Sequence, residues 1–290
     1  MATTESLKQH IEALKAEFYI LSRGKESLLQ MIDEAEIPEG VYNSNAIENS
    51  TLTLKETEKI LLALEVSRDV SVREVFEAKN LARVMGYIRS KSHEADLTED
   101  IILLLHRMLI GGIDDDVAGR LRQAGEYVRV GSHIAPAPDK VEGMMRELLT
   151  KEASDLSSYF LKKIAAFHLT FETIHPFCDG NGRIGRVLIN WQLQRLGFPM
   201  IIIRNKEKQE YYRAFRDYGD SRATKIMERI ILRALMEALH KRISHLKGET
   251  IITLSSYIKE HRQSPPAIFN AAKRQALPAF RERGVWRIGT

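Results

Sequence analysis

One stretch of this 290-residue sequence carries most of its readable chemistry: His175-Pro-Phe-Cys-Asp-Gly-Asn-Gly-Arg-Ile-Gly-Arg186. Gly180 and Gly182 let the backbone turn with its amides pointing into one space, and a following helix N-terminus adds partial positive charge. Arg183 and Arg186 are three residues apart, so on a helix starting near Gly182 they share a face and can fork onto phosphate oxygens. Asp179 supplies a hard oxygen ligand suited to Mg²⁺, which would bridge phosphates and neutralise charge on a leaving pyrophosphate. His175 titrates near neutrality and can accept the proton of an attacking hydroxyl. A lone Gly-Asn-Gly is usually an ordinary turn and a lone histidine usually structural, so the signal is the constellation.

Helices must position this loop. Apolar residues recur at helical spacing in Ile11, Leu14, Phe18 and Leu21, and again in Ile101, Leu104, Leu105 and Met108. Thr53 and Glu56 form a capping box before the run to Leu64, while Gly197 and Pro199 stop the helix containing Trp191. From Gly119 to Pro138, β-branched and aromatic residues between Gly and Pro predict an irregular hairpin. Leu246 to Thr250 reads as a hinge before a tail of different charge. The expected fold is all-α with a small β-hairpin, plus a small C-terminal winged helix-turn-helix. The expected divisions are 1–95, 96–247 and 251–290.

The loop resembles the Fic family, whose signature is met by His175, Phe177, Asp179, Gly180, Asn181, Gly182, Arg183 and Arg186. The preceding IAAFHLTFETIHPF is also similar. The resemblance implies a protein adenylyltransferase that moves AMP from ATP to a Ser, Thr or Tyr hydroxyl. In it His175 is the general base, Asp179 holds Mg²⁺, and Asn181 with the Gly180 and Gly182 amides meets the α- and β-phosphates. Arg183 then serves the β-phosphate region and Arg186 the γ-phosphate. A branch that phosphorylates its target departs at the position of Gly182, which is intact here. The hairpin residues Val128, Arg129, Val130, Gly131, Ser132, His133 and Ile134 resemble the family's flap, where a target strand adds. Tyr211 and Tyr212 resemble the segment beside adenine and read equally well as core. His168 and Cys178 read as structural, since the transfer needs one base and no covalent enzyme step.

Upstream, Ser44-Asn-Ala-Ile-Glu48-Asn49 resembles the family's inhibitory motif in the branch with an N-terminal inhibitor. Glu48 on a helix can reach Arg186, a contact worth up to about 4 kcal/mol before desolvation at an effective dielectric of roughly 20. The plain alternative is that Ser44 caps a short helix and Glu48 lies on a solvated face.

The sequence has one cysteine, Cys178, which excludes an internal disulfide. Its formal charge is +4, of which +5 falls in residues 251–290, leaving −1 for the body. There LPAFRERGVWRI resembles the wing of excisionase-type DNA-binding modules, with Lys273, Arg274, Arg281, Arg283 and Arg287 placed to meet phosphate. A protein-docking or dimerising module fits that charge equally well. No long apolar run and no secretory leader are present, so a cytoplasmic protein without membrane contact is expected. The expected partners are a target protein, the chain itself through self-modification, a second copy in a homodimer, and DNA. Two further readings remain open at this point: a DNA-binding regulator whose core senses nucleotide, and removal of AMP by the same site.

Overall fold

The computed structural model describes residues 4–66, 70–131 and 133–290. It is mainly helical with two small antiparallel sheets. The helices are α1 (Thr4–Ser22), α2 (Glu26–Ile47), α3 (Leu54–Glu58), α4 (Val72–Lys91), α5 (Glu99–Ile110) and α6 (Pro138–Ser154). They continue as α7 (Phe160–Ile174), α8 (Asn181–Arg195), α9 (Lys208–Ser221), α10 (Lys225–Lys247), α11 (Leu254–Glu260) and α12 (Pro265–Lys273). Local signals explain their starts. Thr53 and Glu56 form the reciprocal capping box, Ser71 accepts from the Glu74 amide, and Thr98 from that of Ile101.

The chain divides into two compact units. The larger holds residues 37–197 and 202–231 and is built around α8, which packs against α4, α5 and α7. Ile184, Leu188, Trp191 and Leu193 of α8 meet a core that includes Ile102, Leu105 and Leu109 of α5 and Phe167, Phe171 and Ile174 of α7, all buried. Each such side chain contributes roughly 1.5–3 kcal/mol of transfer free energy. The apolar spacing on α5 and α7 is therefore what fixes the ends that carry the loop. Between α5 and α6, β1 (Arg129–Val130) pairs with β2 (His133–Ile134), and the Ala135 amide closes the hairpin on the Val128 carbonyl. The hairpin is much shorter than the Gly119–Pro138 segment, because turns and side-chain bonds, rather than a ladder, satisfy the flanking backbone.

The smaller unit contains residues 198–201 and 232–290 with the chain up to Glu36. Its sheet has the order β3 (Ile251–Thr253), β5 (Val285–Gly289), β4 (Ala279–Glu282). Leu254, Ile258, Ala272, Ala279 and Ile288 form its core, with Phe269 and Trp286 packed against it. At the segment read as a hinge, the Gly248 and Glu249 amides return to His245 and Ser244 in a Schellman-type cap. Glu237 of α10 then takes Arg281 of β4 at 2.7 Å, and Gln275 meets His240. Those bonds hold the tail module to α10, so a capped helix end stands where a hinge is expected.

Candidate active site

α7 ends at Ile174, and His175 follows with φ +51°, a left-handed conformation uncommon for a residue with a β-carbon. Gly180 precedes α8 with φ +79°, where a β-carbon would press on Ile110 and Leu109 at 3.0 and 3.2 Å. The first helical bond of α8 runs from the Ile184 amide to the Gly180 carbonyl, leaving the amides of the first turn without helical partners. They make an anion site. The Asn181 side chain is tied to the loop backbone. Its amide oxygen accepts from the Phe177 amide at 2.9 Å and its nitrogen donates to the Phe177 carbonyl at 2.8 Å, so it clamps the loop.

Beneath the loop, His106 of α5 stacks on Phe177 with ring centroids 3.7 Å apart. Its Nδ1 accepts from the Gly119 amide, so its Nε2 carries the proton and donates to the Asp179 carbonyl at 3.0 Å. Burial pushes its pKa down to about 4, which keeps that neutral tautomer.

The Asp179 carboxylate pairs with Arg183 at 3.1 Å and with Arg73 of α4, while Glu77 takes the other side of Arg183 at 3.1 Å. Burial opposes its ionisation, but the Arg183 charge, the Gly180 amide and Arg73 together hold its pKa below the usual value. An ionised carboxylate is a fitting oxygen ligand for Mg²⁺. Among the described residues no group of three or more His, Cys, Asp or Glu side chains could hold a metal, and Mg²⁺ is often bound through one carboxylate, waters and the substrate's phosphates. The donor set fits on those terms.

Arg186, 5% exposed, makes four hydrogen bonds. Its Nε donates to Ser44 Oγ at 2.9 Å, and Nη2 donates to the Ser44 carbonyl and to Glu48 Oε1, each at 2.8 Å. Nη1 reaches the Tyr211 hydroxyl at 3.3 Å. Ser44 thus lies in the last turn of α2 and spends its hydroxyl on Arg186 rather than on a helix start. Glu48 sits just past that helix, and the Asn49 φ of +69° ends it, a conformation asparagine tolerates better than most residues. The Glu48 carboxylate fills the place where a β-carbon of residue 182 would be. It is 38% exposed, so solvent screens the pair well below the 4 kcal/mol ceiling.

The His175 side chain is 13% exposed. Burial lowers its pKa to about 4, against a hydrogen bond to the Glu172 main chain that raises it. Arg122, 3% exposed, fixes its backbone by donating to the carbonyls of His175, Glu126 and Pro136, and its own amide binds the Pro176 carbonyl. His168 is buried against the Tyr211 hydroxyl at 2.8 Å, with a pKa lowered to about 3 by burial. Burial raises the Cys178 thiol to about 11, too high for a nucleophile.

Tyr211 is 1% exposed and braces Arg186, whereas Tyr212 is half-buried and donates to the Ile47 carbonyl. In the hairpin Arg129, Val130, Gly131, His133 and Ile134 are exposed, Val128 is partly buried and Ser132 lies outside the described residues. Lys273, Arg274 and Arg283 are exposed, but Arg281 is held by Glu237 and Arg287 by Glu282 at 3.0 Å. Sequence reasoning passed over Arg73, Glu77, His106, Arg122 and Glu172. Of these, only Glu172, inside the segment FETIHPF, stood close enough to the loop to draw notice.

This geometry places a histidine, a helix start with unpaired first-turn amides and two arginines around one loop. Residues 96–193, which contain that loop, match the family model described as Fic/DOC, and the chain carries a Fic domain. Relatives named Protein adenylyltransferase Fic include one from Nematostella vectensis, 31% identical over 75% of this chain and 52% of that protein. Another, from Drosophila melanogaster, is 35% identical over 59% of this chain and 35% of that protein. The chain thus spans about half of one and about a third of the other. Among solved structures, a Fic-domain signaling protein from Bacteroides thetaiotaomicron is 26% identical, with a TM-score of 0.75 over 83% of this chain and 97% of that one. A Fic family protein from Desulfovibrio desulfuricans shares the fold over 100% of this chain and 97% of that one, at 21% identity and a TM-score of 0.68. No helix among the described residues is long and apolar enough to cross a membrane.

Proposed function

We propose that this chain is a protein adenylyltransferase whose resting state is held by Glu48. The observation that carries the reading is the opening of α8, where first-turn amides, Arg183 and Arg186 stand beside His175. The triphosphate of ATP lies along that turn, with the Gly180 and Gly182 region under the α- and β-phosphates. His175 accepts the hydroxyl proton of a Ser, Thr or Tyr on the target. The hydroxyl oxygen bonds to the α-phosphorus as the bond to the β-phosphate bridge breaks, releasing pyrophosphate. Asp179 would hold Mg²⁺, which supplies charge neutralisation on the phosphates. The hairpin at Val128 to Ile134 presents the target as an added strand.

Glu48 on Arg186 occupies the cation that the γ-phosphate needs, so ATP that binds is turned away from in-line attack. Transfer from α-labelled ATP tests the reading with wild type, Glu48→Gly and Glu48→Gly with His175→Ala. Strong labelling of protein in Glu48→Gly alone supports it, and silence in all three despite ATP binding overturns it.

A second activity is proposed for residues 251–290. Their order β3-α11-α12-β4-β5 supports a winged-helix reading, with the β4–β5 hairpin as wing. Exposed Lys273 and Arg274 are its first phosphate contacts, while Arg281, Arg283 and Arg287 already have partners within the chain. Salt-sensitive binding of the full chain to duplex DNA would support this, and a lack of salt dependence would sink it.

A further inference from the structure

α7 places Glu172 one turn before His175, and no part of the transfer described above uses its carboxyl. The side chain is 11% exposed, and its Oε2 lies 3.9 Å from His175 Nδ1. The Glu172 main chain also hydrogen-bonds the same imidazole. Nδ1 is the ring nitrogen on the Glu172 side, and a carbonyl can only accept, so the proton is assigned to Nδ1 and Nε2 is left to take another from a substrate hydroxyl. Oε1 is buried without a hydrogen-bond partner and lies against Gly185, where a β-carbon would collide with it. A buried carboxyl with one unsatisfied oxygen is costly to keep unless it is used.

The charged and titratable groups around Glu172 come from every neighbouring element. Arg186 faces it from α8, Glu48 from beyond α2, Tyr211 and Tyr212 from α9, His168 from its own helix, and His175 from the loop. His175 is in turn faced by Arg122 and His133, which lower its pKa, and by Glu48, which raises it.

We propose that Glu172 is a positioning residue for His175, orienting the imidazole through Nδ1 and stabilising its protonated form. The inference rests on the adenylyltransferase reading for its purpose, but not for its test. In the docked state, burial first and then the Glu48 charge push the Glu172 carboxyl up to about 8, with Arg186 opposing them. Undocking removes one of the two influences that raise it, so the Glu172 carboxyl ionises more readily before a phosphate reaches Arg186. The ionised carboxylate then favours the imidazolium that forms when Nε2 takes the hydroxyl proton. The O–H bond breaks, the Nε2–H bond forms, and Glu172 itself takes up no proton, as in other carboxylate-supported histidine bases. Release of Glu48 clears Arg186, while the support of Glu172 for the imidazolium stays in place.

The test is an NMR pH titration of the His175 imidazole in the full chain, assigned by its loss in His175→Ala. It compares Glu48→Gly with Glu48→Gly/Glu172→Gln and Glu48→Gly/Glu172→Asp. Glutamine should lower the His175 midpoint by about one pH unit, and aspartate should restore part of it. The same glutamine change should reduce kcat about tenfold with KM for ATP unchanged. Midpoints that coincide in the Glu and Gln proteins would overturn the proposal, whatever the labelling shows. A midpoint shift without AMP transfer in any variant would uphold the Glu172–His175 pairing and count only against the enzymatic reading. If the glutamine protein does not fold, the aspartate comparison carries the same decision: a moved midpoint supports the pairing and an unmoved one refutes it.

Discussion

The Glu48 carboxylate lies in the space that any side chain at Gly182 would occupy. Glycine is needed there for that reason, since a strained backbone angle is absent at this residue although present at Gly180. Gly182→Ala should therefore push the flexible, 38%-exposed Glu48 side chain off Arg186, at a cost in stability below the roughly 1 kcal/mol of core overpacking. In a Glu48→Gly background the cost should largely vanish. A double-mutant cycle by denaturant unfolding measures the coupling, and additive losses would show that the two residues do not compete for this space.

Ser44 contributes both a hydroxyl and a carbonyl to Arg186. Ser44→Ala removes the first and keeps the second. A net hydrogen bond of about 1 kcal/mol predicts a severalfold rise in basal labelling, well short of the rise in Glu48→Gly. Labelling equal to wild type would mean that the hydroxyl adds nothing to the lock.

Arg73 and Asp179 form an ion pair whose side chains are 55% and 37% exposed. An exposed pair is worth roughly 0.2–1 kcal/mol, so Arg73→Ala should tighten Mn²⁺ binding in the presence of ATP by up to about fivefold. Calorimetric titration reads this directly. Weaker metal binding in the variant would mean that Arg73 orients the carboxylate rather than competing for it.

The buried histidines set a pH dependence of stability. His106 and His175 are lowered to about 4 and His168 to about 3, in each case chiefly by burial. Between pH 6.5 and these values the unfolded chain binds protons that the folded chain refuses, so stability falls as the solution is acidified through that window. His106→Asn should flatten part of the slope in urea unfolding measured from pH 7 to pH 4. An unchanged slope would exclude His106 as a contributor.

The loop was legible because its chemistry is carried by neighbours in the chain: His175, Asp179, Arg183 and Arg186 need no distant partner to suggest phosphate binding. Helices were legible wherever one face is apolar, as on α5, or where a cap is local, as at Thr53. What escaped is long-range. Arg73 meets Asp179 across more than a hundred residues, Arg122 spends its donors on carbonyls that every sequence has, and His106 is recognised only by the ring it stacks on. Asn181 was read as a ligand group, and its side-chain amide also bonds the Phe177 backbone, a contact that depends on the final turn of the loop. Glu172 was in plain view and lacked only its distance to Nδ1.

Tyr211 holds Arg186 through Nη1 while Ser44 holds Nε and Nη2, so the guanidinium does not depend on the Glu48 carboxylate alone for its position. Glu48 is then best regarded as a tethered competitor: one anion on a leash, occupying a cation built for another. Its strength is set by effective concentration, of millimolar order for short links. Any signal that lengthens or diverts the leash would dilute the competitor, with no need to rebuild the cation.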